Sequence, residues 1–578
     1  MPVIAHQVAL ETASEIRQQK QLRKHATETA VALAGTIFSA ILLAEAAIHA
    51  GPLWRDETNT FNVAHMASLK ELWTNLQFES FPPLWPLVVR ACGFLGLANS
   101  DMGIRFLGLV VGLFFLLSLW LCSRWIGGRA PTLSVALLGS LPAMIFLLGA
   151  NRAYGLASSL LVLSFGMLWR MLERPSKSRV LGAGIVCLLF AQCVYYDAIL
   201  LCAMLAGAAF VTIRRRHWNA FWALAGIGAV SGASMAIYLP ITQRTAAAVP
   251  IIREPFFHSS ELWSGLSRAL AFRSSAYPGG PNGPQIWLWA GLLLAGSVVA
   301  IAMQFGRRRQ AGNHEPSDAF AADIRADRAL FCFVSALFAV AGFFAFLLRL
   351  EFFMQSWYFV EILALCAVSL DGMLGANWPA LRPWGLLRIA FIVLVMALSA
   401  RSAWQEAHTR RSNVDLIASF LEQSAAPGDL IVMQDAWEGI TFDRYYHGPA
   451  HWMTVPPIDS HKVHRTDLVM QEMSQPDPTA PVLREITGVL RDGHTVWLVG
   501  NLPIIRPKKL PPNPPPPPGL PTKWWLGAYL YYWNIQVSAD LLDHARQKQI
   551  EGISANAPVS YFENLSVARF SSYQPDTE

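Results

Sequence analysis

The sequence is poor in charge for its length. Only 15% of its 578 residues are Asp, Glu, Lys or Arg, whereas a soluble protein typically carries about a quarter. The deficit is confined to residues 29–402, where one apolar stretch follows another. Residues 403–578 have the composition of an ordinary globular domain. We therefore predict two bodies, one solvated by lipid and one by water.

Cysteine is also scarce. All seven cysteines fall within residues 92–366, and no two of them have the spacing of metal ligands. This pattern argues against a disulfide framework or a cysteine zinc site, so the tail must be stable through its own core. The sequence also lacks a P-loop and a Gly-x-Gly-x-x-Gly motif, so no nucleotide is indicated. The net charge of +6 does not indicate nucleic acid, because most Lys and Arg lie in short loops where membrane orientation explains them.

Apolar stretches dominate the rest of the first body. Eleven approach the roughly 20 residues that a membrane span needs. They are 29–50, 103–123, 131–150, 155–172, 180–196, 198–213, 219–240, 285–305, 329–349, 356–375 and 386–402. Residues 1–28 are polar and too long for the start of a cleavable signal, and a full-length span follows them. We predict a cytoplasmic leader (1–28) and a retained first helix.

The basic residues of the connections predict the topology. They are Arg124, Arg129, Arg174, Lys177, Arg179, Arg214, Arg215, Arg216, Arg307, Arg308, Arg309, Arg382 and Arg388. Placing them inside puts the leader inside as well. The alternation requires that 82–98, which contains three prolines and Arg90, is an interfacial helix and not a span. The transmembrane domain is then 29–402, with outer loops 51–102 and 241–284 and an outer tail domain, 403–578. Residues 62–77 are predicted to form one helix along the surface.

The tail has the pattern of a small α/β or α+β domain. An amphipathic helix (413–425) precedes strand-like segments at 430–434, 495–499 and 566–572. Residues 511–519 predict an extended polyproline spacer. The aromatic segment 524–535 either packs in the domain core or rests on the membrane surface, and we favour the core.

Several ionisable residues lie at the predicted outer face. Asp56 and Glu57 follow the first span by about six residues, although a surface carboxylate pair is often merely solvated. Arg152, at the outer end of the third span, suits phosphate through its planar fork, or it snorkels to the interface. Arg105 is a parallel case. Carboxylates inside spans are functional candidates by default, and they are Glu45, Asp197 and Glu361, the last sharing a helix face with Tyr358.

Four features occur in a fixed order: the Asp56–Glu57 pair, the segment ESFPPLW (79–85), Arg105 opening the next span, and the Arg152-x-Tyr154-x-Leu motif. This set resembles the GT-C-fold glycosyltransferases that use lipid-linked sugars. That group includes the protein O-mannosyltransferases, the lipid A aminoarabinose transferase and bacterial lipopolysaccharide sugar transferases. The resemblance is strongest over residues 29 to about 200, and PGDLIVMQ with TFDRYY is similar to the small outer domain of bacterial members.

The resemblance implies a role for the acidic pair, and the other roles named here are our own hypothesis. Asp56 would be the catalytic carboxylate, with Glu57 beside it. The donor phosphate would be held by Arg152 and Tyr154, with Arg105 or Arg90. Further pocket candidates are Glu79, Asp197, Tyr358 and Glu361. Two departures from the family pattern concern donor contacts, since Phe81 stands where a histidine is common and Trp357 precedes Tyr358 in place of an arginine.

The implied reaction moves a sugar from a polyprenyl-phosphate donor to a hydroxyl of a cell-envelope glycan, lipid or protein, with inversion at the anomeric carbon. The implied location is the inner (plasma) membrane of a bacterium, and a divalent cation as cofactor is left open. Two alternatives remain. A transporter of a lipid or solute would use the intramembrane carboxylates for proton coupling, although the sequence has no inverted repeat. A membrane scaffold would bind a partner through its tail.

Overall fold

The structure is a computed structural model that describes residues 2–252, 257–277, 283–310, 316–352, 354–375, 385–501, 503–508 and 526–575. The membrane half is helical. Its helices are α1 (Pro2–His49), α2 (Arg55–Ala64), α3 (Leu69–Asn75), α4 (Leu84–Phe94), α5 (Asp101–Gly127), α6 (Thr132–Leu138), α7 (Pro142–Leu148), α8 (Tyr154–Glu173), α9 (Lys177–Ala191), α10 (Asp197–Arg215), α11 (Trp218–Ala236), α12 (Leu239–Ile252), α13 (Ser259–Leu270), α14 (Gln285–Gln310), α15 (Pro316–Leu350), α16 (Val360–Leu370) and α17 (Gly385–Ala407).

Membrane-length helices account for most of the predicted spans. Among the described residues, eight helical segments are long and apolar enough to cross a membrane: Ala26–His49, Asp101–Gly127, Tyr154–Glu173, Asp197–Arg215, Gln285–Phe305, Ala322–Leu350, Ser356–Gly375 and Ile389–Ala407. A ninth forms if Trp218–Ala236 and Leu239–Ala246, bent by 56°, are counted together. Large apolar side chains such as Phe106, Leu117 and Leu294 are exposed on these helices, as contact with lipid requires.

Two of the eleven predicted spans fall short of this length. Residues 131–150 form α6 and α7, seven residues each, because Pro142 occupies the first turn of α7 and cannot continue α6. The segment predicted at 180–196 is α9, which has 15 residues and ends at Ala191. By length and composition, nine of the eleven predicted spans are therefore found among the described residues, and these two are not.

Contacts at the two ends of the bundle nevertheless follow the predicted alternation. At one end Arg129 lies 3.5 Å from Glu28, and Arg215 pairs with Asp327 at 2.6 Å. At the other end Arg105 meets Glu57. Together α6 and α7 carry the chain from the first end back to the second. The orientation of these ends in a membrane stays a prediction.

The first outer loop differs in detail from the prediction. Residues 62–77 are not one helix: α2 ends at Ala64, and α3 begins at Leu69 after Ser68, whose hydroxyl accepts a hydrogen bond from the Glu71 amide at 3.1 Å. Ser68 is a good N-cap, so a new helix starts after it. The segment 82–98 forms α4, which buries Trp85 and exposes Phe94, as an interfacial helix does.

The tail is a mixed α/β domain. Its elements are α18 (Val414–Ser424), β1 (Leu430–Met433), α19 (Glu438–Tyr445), β2 (His451–Thr454), α20 (Thr466–Met473), α21 (Ala480–Arg491), β3 (Val496–Gly500), α22 (Leu526–His544), β4 (Ala545–Glu551) and β5 (Ser566–Tyr573). The sheet order is β2-β1-β3-β5-β4, with β2, β1 and β3 parallel and β5 and β4 antiparallel. Helices cover both faces, since Leu430 and Val432 belong to one apolar cluster and Ile431 and Met433 to another.

The predicted fold class, a helical polytopic membrane domain followed by a small α/β domain, is confirmed. The three predicted strands are β1, β3 and β5. Strands β2 and β4 were missed because both lie at the edges of the sheet and lack a buried apolar run: β2 is HWMT, with only its last residue buried, and β4 is the polar ARQKQIE. Tyr529 and Trp533 of α22 are buried in the domain core, as favoured over a membrane-surface position. The polyproline spacer predicted at 511–519 lies outside the described residues.

Candidate active site

The two adjacent acids Asp56 and Glu57 stand in the first turn of α2, where the helix dipole favours negative charge. Successive residues of a helix point about 100° apart, so the two carboxylates cannot serve one pocket in the same way. Glu57 is fully buried, whereas the Asp56 side chain is 21% exposed. Glu57 therefore belongs to the protein interior, and Asp56 belongs to the outer surface.

Glu57 joins the first loop to the bundle. Arg105 Nη1 donates to its carboxylate at 2.6 Å, and the Asn151 amide donates to the same oxygen at 2.8 Å. Arg105 Nη2 also donates to the Pro52 carbonyl at 2.6 Å. These contacts engage the Arg105 side chain, which is 2% exposed. Glu57 and Arg105 lie beside the site as a buried ion pair.

Asp56 faces the tail domain. His464 Nε2 lies 3.4 Å from Asp56 Oδ1. Burial alone would raise the pKa of Asp56, but the hydrogen bond with His464 and the positive charge of Arg152 outweigh burial and hold the pKa well below its usual value. Asp56 is therefore a carboxylate throughout the neutral range.

Arg152 lies directly behind Asp56. Its Nη1 donates to the Asp56 main-chain carbonyl at 3.1 Å, to Thr60 Oγ1 at 3.0 Å and to Glu79 Oε1 at 2.8 Å. The guanidinium also stacks over Phe81, 4.3 Å from the ring centroid, an energetically favourable arrangement. The structure thus brings Asp56, Arg152 and Glu79 together, as predicted for one site. Phe81 contacts the Arg152 guanidinium.

The tail domain completes the site through a loop that docks on α2. The His464 amide donates to Asn59 Oδ1 at 2.8 Å, and Asn62 donates to the Lys462 carbonyl at 2.7 Å. The Trp437 ring packs edge-on against His464 with centroids 5.3 Å apart. Sequence reasoning missed His464 because it lies in an irregular loop about 400 positions from its partner, and no pattern there marks it.

Arg55, also missed, sits among carboxylates of the tail. Asp56, Asp435, Glu438 and Glu563 all act electrostatically on its guanidinium. Burial raises the pKa of Glu563 to about 7, and burial together with Asp435 raises the pKa of Glu438. A divalent cation would find carboxylate ligands here, but Arg55 already supplies positive charge among them. Its side chain is 27% exposed, more than that of Arg105 or Arg152.

Two further predicted residues, Arg90 and Tyr154, lie in different places. Arg90 donates to the Ala64 and Met66 carbonyls at the far end of α2, away from Asp56. Tyr154 packs edge-on against Phe81 at 5.1 Å and is an electrostatic neighbour of Arg152, Tyr358, Glu361 and Asp56.

Asp197 and Glu361 stand in the first turns of α10 and α16. They are electrostatic neighbours, both fully buried, and none of their carboxylate oxygens has a hydrogen-bond partner among the described residues. Of the predicted residues, Asp56, Arg152, Glu79 and Tyr154 therefore lie together, Glu57 and Arg105 lie beside them, and Arg90 lies outside.

No protein-family model and no curated protein matches this chain. Solved structures similar to it include the archaeal oligosaccharyltransferase AglB from Archaeoglobus fulgidus, in complex with an inhibitory peptide and a dolichol-phosphate. Its TM-score is 0.45 at 10% identity, over 81% of this chain and 69% of that one. ArnT from Cupriavidus metallidurans bound to undecaprenyl phosphate has a TM-score of 0.42 at 13% identity, and the match covers 80% of this chain and 92% of ArnT. Likeness at this level carries no argument about the reaction of this chain. Both neighbours are GT-C-fold transferases of lipid-linked sugars, the group that the sequence resembles.

Proposed function

We propose that this protein is a membrane glycosyltransferase that moves a sugar from a polyprenyl-phosphate donor to a hydroxyl of a cell-envelope acceptor. The observation that carries the proposal is the arrangement around Asp56: an ionised, partly exposed carboxylate lies between arginines of the membrane domain and a histidine of the tail domain. A donor anchored in lipid and an acceptor presented from water would meet at this boundary.

The proposed step is a single displacement. The acceptor oxygen forms a bond to the anomeric carbon, and the bond from that carbon to the phosphate oxygen breaks with its electron pair leaving on the phosphate. The hydroxyl proton passes to the Asp56 carboxylate. Phosphate leaves without a strong acid, unlike the alcohol that a glycosidase must protonate. The product is inverted at the anomeric carbon.

The low pKa of Asp56 is compatible with this step. A free hydroxyl would scarcely yield its proton to so weak a base. As the new carbon–oxygen bond forms, however, the hydroxyl oxygen becomes positive and its proton strongly acidic. A positioned carboxylate that is always ionised then accepts the proton late in the reaction.

Positive charge for the departing phosphate comes from Arg152 and Arg55 in this proposal. Arg152 Nη1 is held by Glu79 and Thr60, and its Nε is buried without a partner among the described residues. Arg55 is the more exposed of the two and lies 3.8 Å from Asp56. Preorganised charge of this kind stabilises developing negative charge. Arg105 and Glu57 are assigned to positioning, because both are buried in their mutual contact.

The Arg55→Gln variant should raise the KM for the lipid donor about tenfold, because a partly exposed cation near the phosphate is lost. Steady-state kinetics with a synthetic polyprenyl-phosphate sugar in detergent would measure it. Arg484→Gln, which removes an exposed arginine from the outer part of the tail, is the matched control. A donor KM equal to that of the control would remove Arg55 from the phosphate site.

The His464→Ala variant should lower the rate of transfer about tenfold and move the acid limb of the pH–rate profile to higher pH. Without the histidine hydrogen bond, burial raises the pKa of Asp56 with less opposition, so protonation inactivates the site at a less acidic pH. His494→Ala, an exposed histidine elsewhere in the tail, is the control. An acid limb that does not move would show that His464 does not act on Asp56.

A transporter is the second candidate, because Asp197 and Glu361 are buried without hydrogen-bond partners in the part of the chain that the structure describes and would suit proton coupling. Transfer of labelled sugar from lipid phosphate by the purified protein supports the transferase. Solute uptake into proteoliposomes that contain no lipid-linked sugar, abolished by Glu361→Gln, would support the transporter.

A further inference from the structure

A cluster of three potential metal ligands lies apart from the site around Asp56, at the outer ends of α1 and α17. It consists of Glu45, His49 and His408, which offer one ligand atom each within 4.8 Å of one another. Glu45 and His49 are one turn apart at the end of α1, and His408 follows the last residue of α17. The three side chains are between 29% and 37% exposed, so a solvated ion can reach them.

The hydrogen bond of His408 determines which of its nitrogens faces the cluster as an acceptor. His408 Nδ1 lies 2.9 Å from the Trp404 carbonyl, an acceptor, so Nδ1 carries the proton. In the neutral ring the lone pair is then on Nε2, which lies 3.4 Å from Glu45 Oε2. Two acceptors that face each other at this distance repel unless a proton on Nε2 or a bound cation lies between them. Fixing one imidazole nitrogen on a carbonyl while the other binds is the usual arrangement of a metal-ligating histidine.

The spacing fits a tetrahedral cation. His49 Nδ1 lies 3.4 Å from Glu45 Oε2 and also 2.9 Å from the Glu45 carbonyl, so this nitrogen binds an ion only after it gives up its hydrogen bond to the carbonyl. With zinc-to-ligand bonds of about 2.0–2.1 Å, adjacent ligands of a tetrahedral ion are about 3.4 Å apart. The helix dipole supplies a second reason, because Glu45 lies at the negative, carboxyl-terminal end of α1, where a carboxylate is unfavourable unless a cation neutralises it.

We propose that Glu45, His49 and His408 form a binding site for a divalent transition-metal ion of the zinc type. Two imidazoles and one carboxylate are a ligand set that zinc accepts, and water would take the fourth position. The ion would fasten the end of the first span to the end of the last one. The Ala50 carbonyl, next to His49, already accepts a hydrogen bond from the Arg411 amide at 2.7 Å, so the ion would stiffen the junction from which α2 and the tail domain both depart.

Zinc binding by the full-length protein tests the proposal independently of sugar transfer. The protein is purified through a tag without histidine, stripped with a chelator and titrated with Zn²⁺ in a calorimeter. We expect one equivalent to bind and the melting temperature to rise, because a ligand that binds only the folded state stabilises it. His49→Ala and His408→Ala should each lose both effects. His447→Ala, which removes an exposed histidine of the tail, should keep both.

A further variant guards against a trivial loss of folding. His408→Cys supplies a thiolate at the same position and should bind Cd²⁺ with a sulfur-to-metal charge-transfer absorption that the other variants lack. The proposal is overturned if the wild type shows no saturable zinc binding, or if His49→Ala and His408→Ala bind zinc as His447→Ala does. It is overturned equally if His408→Cys shows no cadmium band.

Discussion

The Asp56→Asn variant is expected to lose sugar transfer by a factor of about 10² to 10⁴, the usual contribution of a positioned acid–base group. The amide has the same shape and can still accept a hydrogen bond from His464, but it cannot take the proton of the acceptor hydroxyl. Because Asp56 is partly exposed and its contact with Arg152 is made by the main chain, the melting temperature should change little. Transfer of labelled sugar in membranes, with the melting temperature measured in detergent, would check both expectations.

Asp492→Asn, at an exposed position of the tail, controls for the general effect of losing one carboxylate. Asp56→Glu keeps the charge but displaces it, and we expect activity between the wild type and Asp56→Asn. Wild-type turnover in Asp56→Asn would contradict the assignment of Asp56 as the base. His464 and Arg152 outweigh the effect of burial and keep Asp56 ionised. Near neutral pH, the wild-type rate should therefore not depend on protonation of Asp56.

Hydropathy was sufficient to predict the membrane domain because a span is a local property of about 20 residues. It failed where local packing decides the outcome. Residues 131–150 are mostly apolar, yet Pro142 divides them into two short helices. Strand β4 carries the polar sequence ARQKQIE, and its place at the edge of the sheet explains why no apolar alternation marks it.

The candidate site was predictable only in part. The order of motifs brought Asp56 and Arg152 to the same outer face, and they are in contact. The sequence could not show that Glu57 points into the bundle, because that depends on where α2 begins. His464 was missed because its partner, Asp56, is distant in sequence. Arg55 was missed because most of the carboxylates around it lie in the tail domain. Convergence of remote residues is set by tertiary packing and leaves no local signal.

The Arg105→Ala variant is expected to be destabilised by about 3–5 kcal/mol, the cost of leaving one member of a buried ion pair without its partner. Glu57 would keep the amides of Asn151 and Trp54 as donors, but its charge would be uncompensated in the interior. Glu57→Gln should cost less, because the Pro52 carbonyl still accepts from Arg105 at 2.6 Å and the Gln oxygen can still accept from Asn151. Unfolding in detergent with increasing denaturant would measure both.

Arg465→Ala is the matched control, because Arg465 makes a similar contact with a carboxylate, Asp467, at 2.8 Å, but that carboxylate is 50% exposed. Its loss should cost about 1 kcal/mol or less. In the double variant Arg105→Ala, Glu57→Gln, removal of the stranded charge should restore part of the stability.

If Arg105→Ala were no less stable than Arg465→Ala, the buried pair would not hold the first loop in place. If Glu57→Gln lost transfer as fully as Asp56→Asn while remaining stable, Glu57 would belong to the chemistry. The two adjacent acids are thus separable by experiment, since one should act on the rate at unchanged stability and the other on stability first.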